Sequence, residues 1–498
     1  MTVQGGRQRD ADVIIIGAGG AGIAAAIESA SLGARTLVLE QAGVPGGSAA
    51  LSSGGCLMVD TPLQRTNGLH DSADIAFSDW VTWGQGAADE AWARYYLDHS
   101  LHDLYHWTAS MGVQWVGLKG MPGNSIARWH QPQGGGASLT GTMLAHATAT
   151  PEVRFRTSTT IEHLLFEGGR ACGVVASDGA DNELRLYATS VVMATGGFAS
   201  NHAMLLDHRP EFKMSRLLMG SGTGSAGSGH RMIREAGGTL THMDAIWFYV
   251  YATPDFRDPS GQRGLVFRAT PSYIWVNQSG KRFHDESRAD ASAATPALLA
   301  QDPPHAWAVL DARMVTEMEV EDLTADRDQE SPRALARRLL HSSPFVHRAD
   351  SLARLGGAIG VDVPVFLDQI QSYHTAIDTG LATEPAFGRP LAMARRFEQP
   401  PFYAIQLFPL ARKTLGGVLT DLRCAVLDQR GDAISGLYAA GEVSGMAGGH
   451  INGRAGLEGT MLGPSIFSGR VAGAWAAQAA GFGPGFVGRS SRVEDDPR

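Results

Sequence analysis

Residues 12–40 constrain this chain more than any other stretch. They read DVIIIGAGGAGIAAAIESASLGARTLVLE. An apolar run, Val13 to Ile16, enters Gly17-Ala-Gly19-Gly20-Ala21-Gly22. An alanine-rich segment follows, then a second apolar run, Thr36 to Leu39, closed by Glu40 and Gln41. The order is strand, glycine turn, helix, strand, acid. Gly17 permits the tight turn, Gly19 lets backbone approach a pyrophosphate, and Gly22 lets the helix sit close to the sheet. The helix start then offers free N–H groups and a positive dipole end to the phosphates. Glu40 stands 18 residues past Gly22, where a carboxylate reaches a ribose diol. The apolar stretch from Val13 to Ile27 is 15 residues, short of the roughly 20 that a membrane span needs. The segment therefore predicts a dinucleotide-binding βαβ unit.

The rest of the composition narrows the alternatives. A chain of 498 residues predicts two or three domains with a real core. A net charge of −9 gives no basic footprint for nucleic acid. The cysteines, Cys56, Cys172 and Cys424, are far apart and form no zinc or haem spacing, so neither disulfides nor a metal site is expected. The first ten residues are polar and lack an apolar core of the signal-peptide kind, which makes a cytoplasmic location the expectation. Residues 1–10 and 481–498 read as flexible tails.

Three further segments share the small-residue character of the glycine turn. Pro45-Gly-Gly47-Ser48-Ala-Ala-Leu-Ser-Ser53-Gly54-Gly55 follows the second strand. Val191-Val-Met-Ala194-Thr195-Gly196-Gly-Phe198 is an apolar strand running into glycine. Gly436-Leu-Tyr-Ala-Ala-Gly441-Glu442-Val443 is another, followed by a glycine-rich loop through Gly459 and a helix opening at Gly463-Pro464-Ser465-Ile466. Small residues let a flat ligand approach backbone. Pro464 suits a first helical turn, and that helix start would face an anionic ring with its positive end.

In this combination the chain resembles, from about Asp12 to Ala477, the flavoprotein-subunit family of fumarate reductase and succinate dehydrogenase. Soluble fumarate reductases, tricarballylate dehydrogenase-like enzymes and, more remotely, 3-ketosteroid Δ1-dehydrogenases are similar. The resemblance implies FAD, with Glu40 on the adenosine ribose and Glu442 near the ribityl chain. Membrane-bound members hold FAD covalently through a histidine in the glycine loop. Ser48 occupies that place here, which implies noncovalent FAD.

The resemblance also points to residues for chemistry. Gly448-Gly-His450-Ile-Asn-Gly-Arg454 matches a histidine placed four residues before an arginine that grips a substrate carboxylate, work suited to a planar fork of N–H donors. The bland alternative for Arg454 is an ion pair with Glu458. Val276-Asn-Gln-Ser-Gly-Lys-Arg-Phe283-His-Asp-Glu-Ser-Arg288 resembles the segment carrying the proton-donating arginine, with Arg288 arriving two residues closer to the acid than in the family pattern. Pro400-Pro-Phe-Tyr403 through Lys413-Thr-Leu-Gly416-Gly417 places Lys413 where fumarate reductases have a carboxylate-binding histidine. Trp247-Phe-Tyr249-Val-Tyr251 replaces a second such histidine, and these aromatics alternate onto one strand face. His130, in the loop Arg128-Trp-His130-Gln-Pro, is a further candidate by resemblance. Tyr403 and Tyr249 complete the set.

The sequence therefore predicts an α/β protein, with a discontinuous Rossmann-type FAD-binding domain (11–220 and 400–480) and an inserted α+β capping domain (221–399). Within them, Ala87–Gly112 and Asp311–Leu340 read as helical and Val153–Asp178 as hairpin strands. The expected function is an FAD-dependent dehydrogenase or reductase that moves hydride between flavin N5 and a substrate carbon. It forms or reduces a C=C bond next to a carbonyl or carboxylate of a fairly large, partly apolar small molecule. Electrons come from or go to an outside donor or acceptor: oxygen, a quinone or a redox protein. An FAD oxidase or C–N/C–O dehydrogenase, a flavoprotein subunit tied to an electron-transfer partner, and a non-redox flavin isomerase remain open alternatives. No membrane span and no nucleic-acid partner is expected.

Overall fold

A computed structural model describes residues 9–180, 182–268, 272–287, 291–324 and 330–488. The chain divides into two compact units.

The first unit comprises residues 1–201, 222–246 and 413–498. Its centre is the predicted strand–helix–strand: β1 (Val13–Ile16), α1 (Gly20–Ser31) and β2 (Thr36–Leu39). All residues of both strands are buried, as strands covered on both faces require. With β3 (Val153–Arg156), β4 (Ser190–Met193), β5 (Ala425–Leu427) and β6 (Ala433–Ala439) they form a six-stranded sheet in the order β5-β6-β4-β1-β2-β3. Every pair is parallel except β5–β6. β1 pairs with β2 from Val13↔Thr36 to Ile16↔Leu39. α1 packs against α2 (Leu462–Ala479) backbone to backbone. A Cβ on Gly469 or Gly473 would overlap the carbonyl of Ala21 or Ala25.

The predicted hairpin begins later than expected. Val153–Arg156 belongs to the parallel sheet, and the antiparallel strands are Thr159–Glu167, Arg170–Asp178 and Glu183–Tyr187. The helical stretch near residue 100 is α-helical over Glu90–His99, with Asp89 capping through the Trp92 N–H, and passes into a π-helix at Ser100–His106. Part of the stretch read as a tail from residue 481 is packed. Phe486 is buried against Phe467, Tyr95 and His99. Residues 1–8 and 489–498 lie outside the described set.

The second unit comprises residues 202–221 and 247–412. Its sheet runs Ile274–Val276, Ala306–Leu310, Phe402–Thr414, Ile246–Pro254, Gly264–Arg268, Glu319–Glu321, with Leu218–Met219 and Val346–Ala349 also on Phe402–Thr414. Both boundaries therefore move from those read in the sequence. Phe402–Thr414 is an interior strand of this sheet, so the chain returns to the first unit at Lys413 and not at residue 400. Residues 222–246 rejoin the first unit because Leu240–Thr241 pairs with Gly417–Val418. The stretch Asp311–Leu340 is not one helix: Ala312–Thr316 and Pro332–Ser342 flank the strand Glu319–Glu321, the later helix starting at a Ser331 cap followed by proline.

Candidate active site

Of the four glycines in the first turn, Gly17, Gly19 and Gly22 sit in different surroundings. Gly17 has φ +100°, and a Cβ there would overlap the Ala194 carbonyl. A Cβ on Gly22 would overlap the Gly17 carbonyl. Both are required by the protein's own packing. Gly19 is different: its φ is −83°, an ordinary value for any residue, and a Cβ would meet no atom within 4 Å. Among the described residues nothing demands glycine there. The open space lies at the start of α1, where the N–H groups of Gly20, Ala21 and Gly22 lack i−4 partners within the helix.

Glu40 closes this cradle. Its Oε2 accepts the Ala18 N–H at 2.7 Å and its Oε1 accepts the Ala42 N–H at 2.8 Å. Each oxygen keeps a lone pair for another donor. Gln41 is exposed just beyond. Gly47 lies against Gly19, its Cβ position 3.4 Å from the Gly19 Cα, and Ser48 is half-buried in the same loop. After β4, Ala194-Thr195-Gly196 lines up beside Gly17. The Thr195 Oγ1 is buried with no hydrogen-bond partner. An open glycine at a helix start, a carboxylate fixed beside it and an orphaned buried hydroxyl fit a dinucleotide with its pyrophosphate and hydroxyls.

Other residues read as cofactor contacts have internal work. Gly54 has no room for a Cβ because Gly136 and Pro132 approach it, and Gly55 because the Trp129 ring does. The Ser53 carbonyl accepts from Gln131 Nε2 at 2.7 Å, and Gly459 abuts the Leu57 backbone. Gly441 abuts Ala21 of α1 and donates its N–H to Ser468 Oγ at 3.0 Å. Glu442 Oε1 accepts from Thr414 N at 2.9 Å and Thr414 Oγ1 at 3.0 Å. Pro464, Ser465 and Ile466 form the first turn of α2. Pro464 and Ile466 are buried there, and Ser465 Oγ donates to the Met461 carbonyl at 2.7 Å.

A second cluster joins three distant segments: Thr241–Ala245, Thr414–Val418 and Gly441–Arg454. Leu415 N donates to the Ala245 carbonyl at 2.8 Å, and Val418 N to the Val443 carbonyl at 2.8 Å. Here Arg454 Nη1 donates to Asp244 Oδ2 at 2.8 Å, both side chains about half exposed at 52% and 47%. The partner is thus Asp244, not Glu458. Arg454 holds the Asp244 carboxyl below the usual range through that hydrogen bond, against some opposing burial. Four residues before Arg454, the His450 ring stacks on His242, centroids 4.2 Å apart and planes 7° from parallel. Burial, then the neighbouring His242, pushes the His450 pKa down. Neither His242 nor Asp244 was singled out as a chemical residue by sequence, because their partners lie some 210 positions away.

The remaining candidates separate. Tyr403 and Lys413 lie on one strand, Phe402–Thr414. Ten residues of strand span about 33 Å, so the two cannot touch one small substrate. Tyr403 sits between Leu310 and Arg348 on neighbouring strands. Tyr249 is buried and stacks on Tyr251 at 5.1 Å. Arg288 lies outside the described residues. Its neighbour Glu286 is buried and accepts both Arg282 Nε and Nη2 at 2.8 Å and Arg389 Nη1 at 3.1 Å. His130 is a satisfied core histidine: Nδ1 donates to the Arg128 carbonyl at 2.7 Å and Nε2 accepts from Thr61 Oγ1 at 2.7 Å. Burial lowers its pKa to about 4. Among the described residues no group of three or more His, Cys, Asp or Glu side chains could hold a metal ion, and no helix is long and apolar enough to cross a membrane.

The parallel sheet, the open glycine and the fixed carboxylate define a dinucleotide-cofactor oxidoreductase. The family model described as FAD binding domain matches residues 12–462, and the chain belongs to that family. It is 30% identical to a KsdD-like steroid dehydrogenase of Mycobacterium tuberculosis, over 94% of this chain and 96% of that protein. Among solved structures it is similar to the open conformation of a flavocytochrome c3 fumarate reductase, with TM-score 0.78 and 25% identity over 95% of this chain and 79% of that one. It is also similar to 3-ketosteroid-Δ4-(5α)-dehydrogenase of Rhodococcus jostii RHA1 in complex with 4-androstene-3,17-dione, with TM-score 0.73 and 25% identity over 96% and 99%. The chain is an FAD-dependent oxidoreductase of the fumarate reductase and ketosteroid dehydrogenase type.

Proposed function

We propose that this protein forms or reduces a C=C bond next to a carbonyl or carboxylate, in a substrate larger and more apolar than a small dicarboxylic acid. The observation that carries this is Arg454: a half-exposed guanidinium in the glycine-rich loop that follows Glu442, paired with the Asp244 carboxylate. Lys413 and Tyr249 stand where the resemblance implies carboxylate-binding histidines, which favours a substrate with one polar end. The steroid and fumarate relatives frame that choice.

When bound, FAD supplies the two-electron chemistry, taking up or returning a hydride at the substrate carbon. The chain's own residues do the rest. Gly19 and the first turn of α1 receive the pyrophosphate, Glu40 the ribose diol, and Glu442, fixed by Thr414, stands near the ribityl chain. Ser48 offers no imidazole for a covalent link, so the cofactor is held noncovalently. Arg454 donates from its planar fork to the substrate oxygen and steadies the negative charge that develops there. Electrons leave to or arrive from an outside partner.

Steady-state kinetics on Arg454 variants test this reading. Arg454→Ala should lose about 10²–10³ in rate, roughly 2.7–4 kcal/mol, as when a single oxyanion donor is removed. Arg454→Lys should lose nearly as much, since a point charge lacks the fork. Both should keep a normal flavin spectrum. Near wild-type turnover in Arg454→Ala with full FAD would make the arginine structural.

A further inference from the structure

We propose that His242 is a positioning residue for His450, and that the two stacked imidazoles act as one proton-binding pair setting the charge beside Arg454. This rests on the reading of Arg454 as the group that meets the substrate oxygen.

Three observations converge on the pair. First, His242 has φ +50°, a left-handed conformation uncommon for a residue other than glycine and held only where surroundings over-determine it. The surroundings do so here. Ala245 N donates to the His242 carbonyl at 2.8 Å, and His242 Nδ1 meets Thr241 Oγ1 at 2.7 Å. A Cβ on Gly416 would overlap the His242 carbonyl, and one on Gly449 would lie 2.6 Å from Thr241 Cγ2. Second, the rings lie flat on each other at 4.2 Å. Third, His450 Nδ1 is buried without a hydrogen-bond partner among the described residues, unlike the doubly bonded His130.

The two segments are joined twice. His242 stacks on His450, and two residues past His242, Asp244 pairs with the arginine four residues past His450. Other charges face the pair. Asp89, capping the helix Glu90–His99, donates its N–H to the His450 carbonyl at 3.3 Å and favours a charged His450; the Gly448 carbonyl does the same. Arg454 and Asp244 form an ion pair on the same two segments. His242 in turn favours the Asp244 carboxylate. Two imidazolium planes at 4.2 Å repel strongly. The pair therefore binds one proton and resists a second. With that proton the loop carries an extra positive charge and holds an anionic oxygen more tightly.

Benzoate, a monocarboxylate with an apolar body, is the probe, titrated into the FAD-loaded protein and followed by the flavin absorbance from about pH 5.5 to about pH 8.5, across the histidine range. In the wild type its affinity should fall about threefold or more as pH rises, in a single one-proton transition. His242→Asn tolerates the left-handed turn and should keep FAD. Its break should move to lower pH, because the proton then falls to His450, whose pKa burial pushes down. His242→Phe, which retains a flat ring without a proton, is the second variant and should shift the same way. The double variant His242→Asn, His450→Phe should show no break. A flat wild-type profile, the same break in wild type and both single variants, or a break that survives in the double variant would overturn the proposal. Arg454→Ala separates the underlying reading: it should bind benzoate weakly at every pH, and if it binds normally while the break persists, only the role given to Arg454 falls.

Discussion

The Glu40 carboxylate reaches back to the turn that β1 leaves, accepting the Ala18 N–H at 2.7 Å while its other oxygen accepts the Ala42 N–H at 2.8 Å. One side chain thus ties the end of β2 to the glycine turn before any ligand arrives. Such pre-positioning leaves less ordering to be done on binding. It also places the acid beside Gly19, whose missing side chain no described residue of the protein explains.

That distinction between glycines is measurable. Gly19→Val should fold and lack FAD, melting like wild type stripped of its cofactor, since its Cβ enters open space at the helix start. Gly22→Ala should fail earlier, because its Cβ overlaps the Gly17 carbonyl. Overpacking of this kind typically costs about 1–3 kcal/mol. Thermal melts and visible flavin absorbance of the purified variants check both. A Gly19→Val protein with full FAD content would contradict the placement of the pyrophosphate.

Ser48 predicts the mode of FAD attachment. Acid precipitation should release all the yellow colour into the supernatant. Flavin retained by the washed pellet would show a covalent link from some other residue.

His130 gives a pH dependence of stability. Its folded-state pKa is lowered to about 4 from an ordinary 6.5, burial being the largest cause. The unfolded chain then binds the proton more readily. The stabilisation is complete above about pH 6.5 and is lost progressively as pH falls to about 4. The full difference is about 3 kcal/mol. Denaturant midpoints should fall over that window in wild type and fall less in His130→Asn, which should be less stable at neutral pH. Equal slopes in the two proteins would contradict the assignment.

How much of this was legible in the sequence depends on the range of the interactions. The strand–helix–strand unit and Glu40 are local, written in spacing that packing does not alter. Gly54 and Gly55 mark a different lesson: the glycines are real signals, yet Trp129 and Gly136 set the need for them, and only the fold brings those neighbours in. Arg454 was legible as a candidate, but its partner Asp244 and the His242 stack were not, being brought together by pairing of Leu240–Thr241 with Gly417–Val418. Tyr403 and Lys413 resembled parts of one motif, and the straight run of a strand separates them. His130 looked chemical by its neighbours in sequence and is silenced by two hydrogen bonds that come from the fold.

The central claim, oxidation or reduction of a carbon–carbon bond beside a carbonyl or carboxylate, is tested most directly by anaerobic mixing. Oxidised FAD-loaded protein is combined with a panel of saturated ketones and carboxylic acids of increasing apolar size, and chemically reduced protein with their α,β-unsaturated counterparts. The flavin absorbance and the product mass are read together. The account predicts bleaching by a saturated compound with loss of two hydrogens, or return of colour with an unsaturated one and gain of two, the change lying at the carbons next to the carbonyl. Flavin turnover that instead oxidises a C–N or C–O bond, leaving the carbon–carbon bonds untouched, would contradict it.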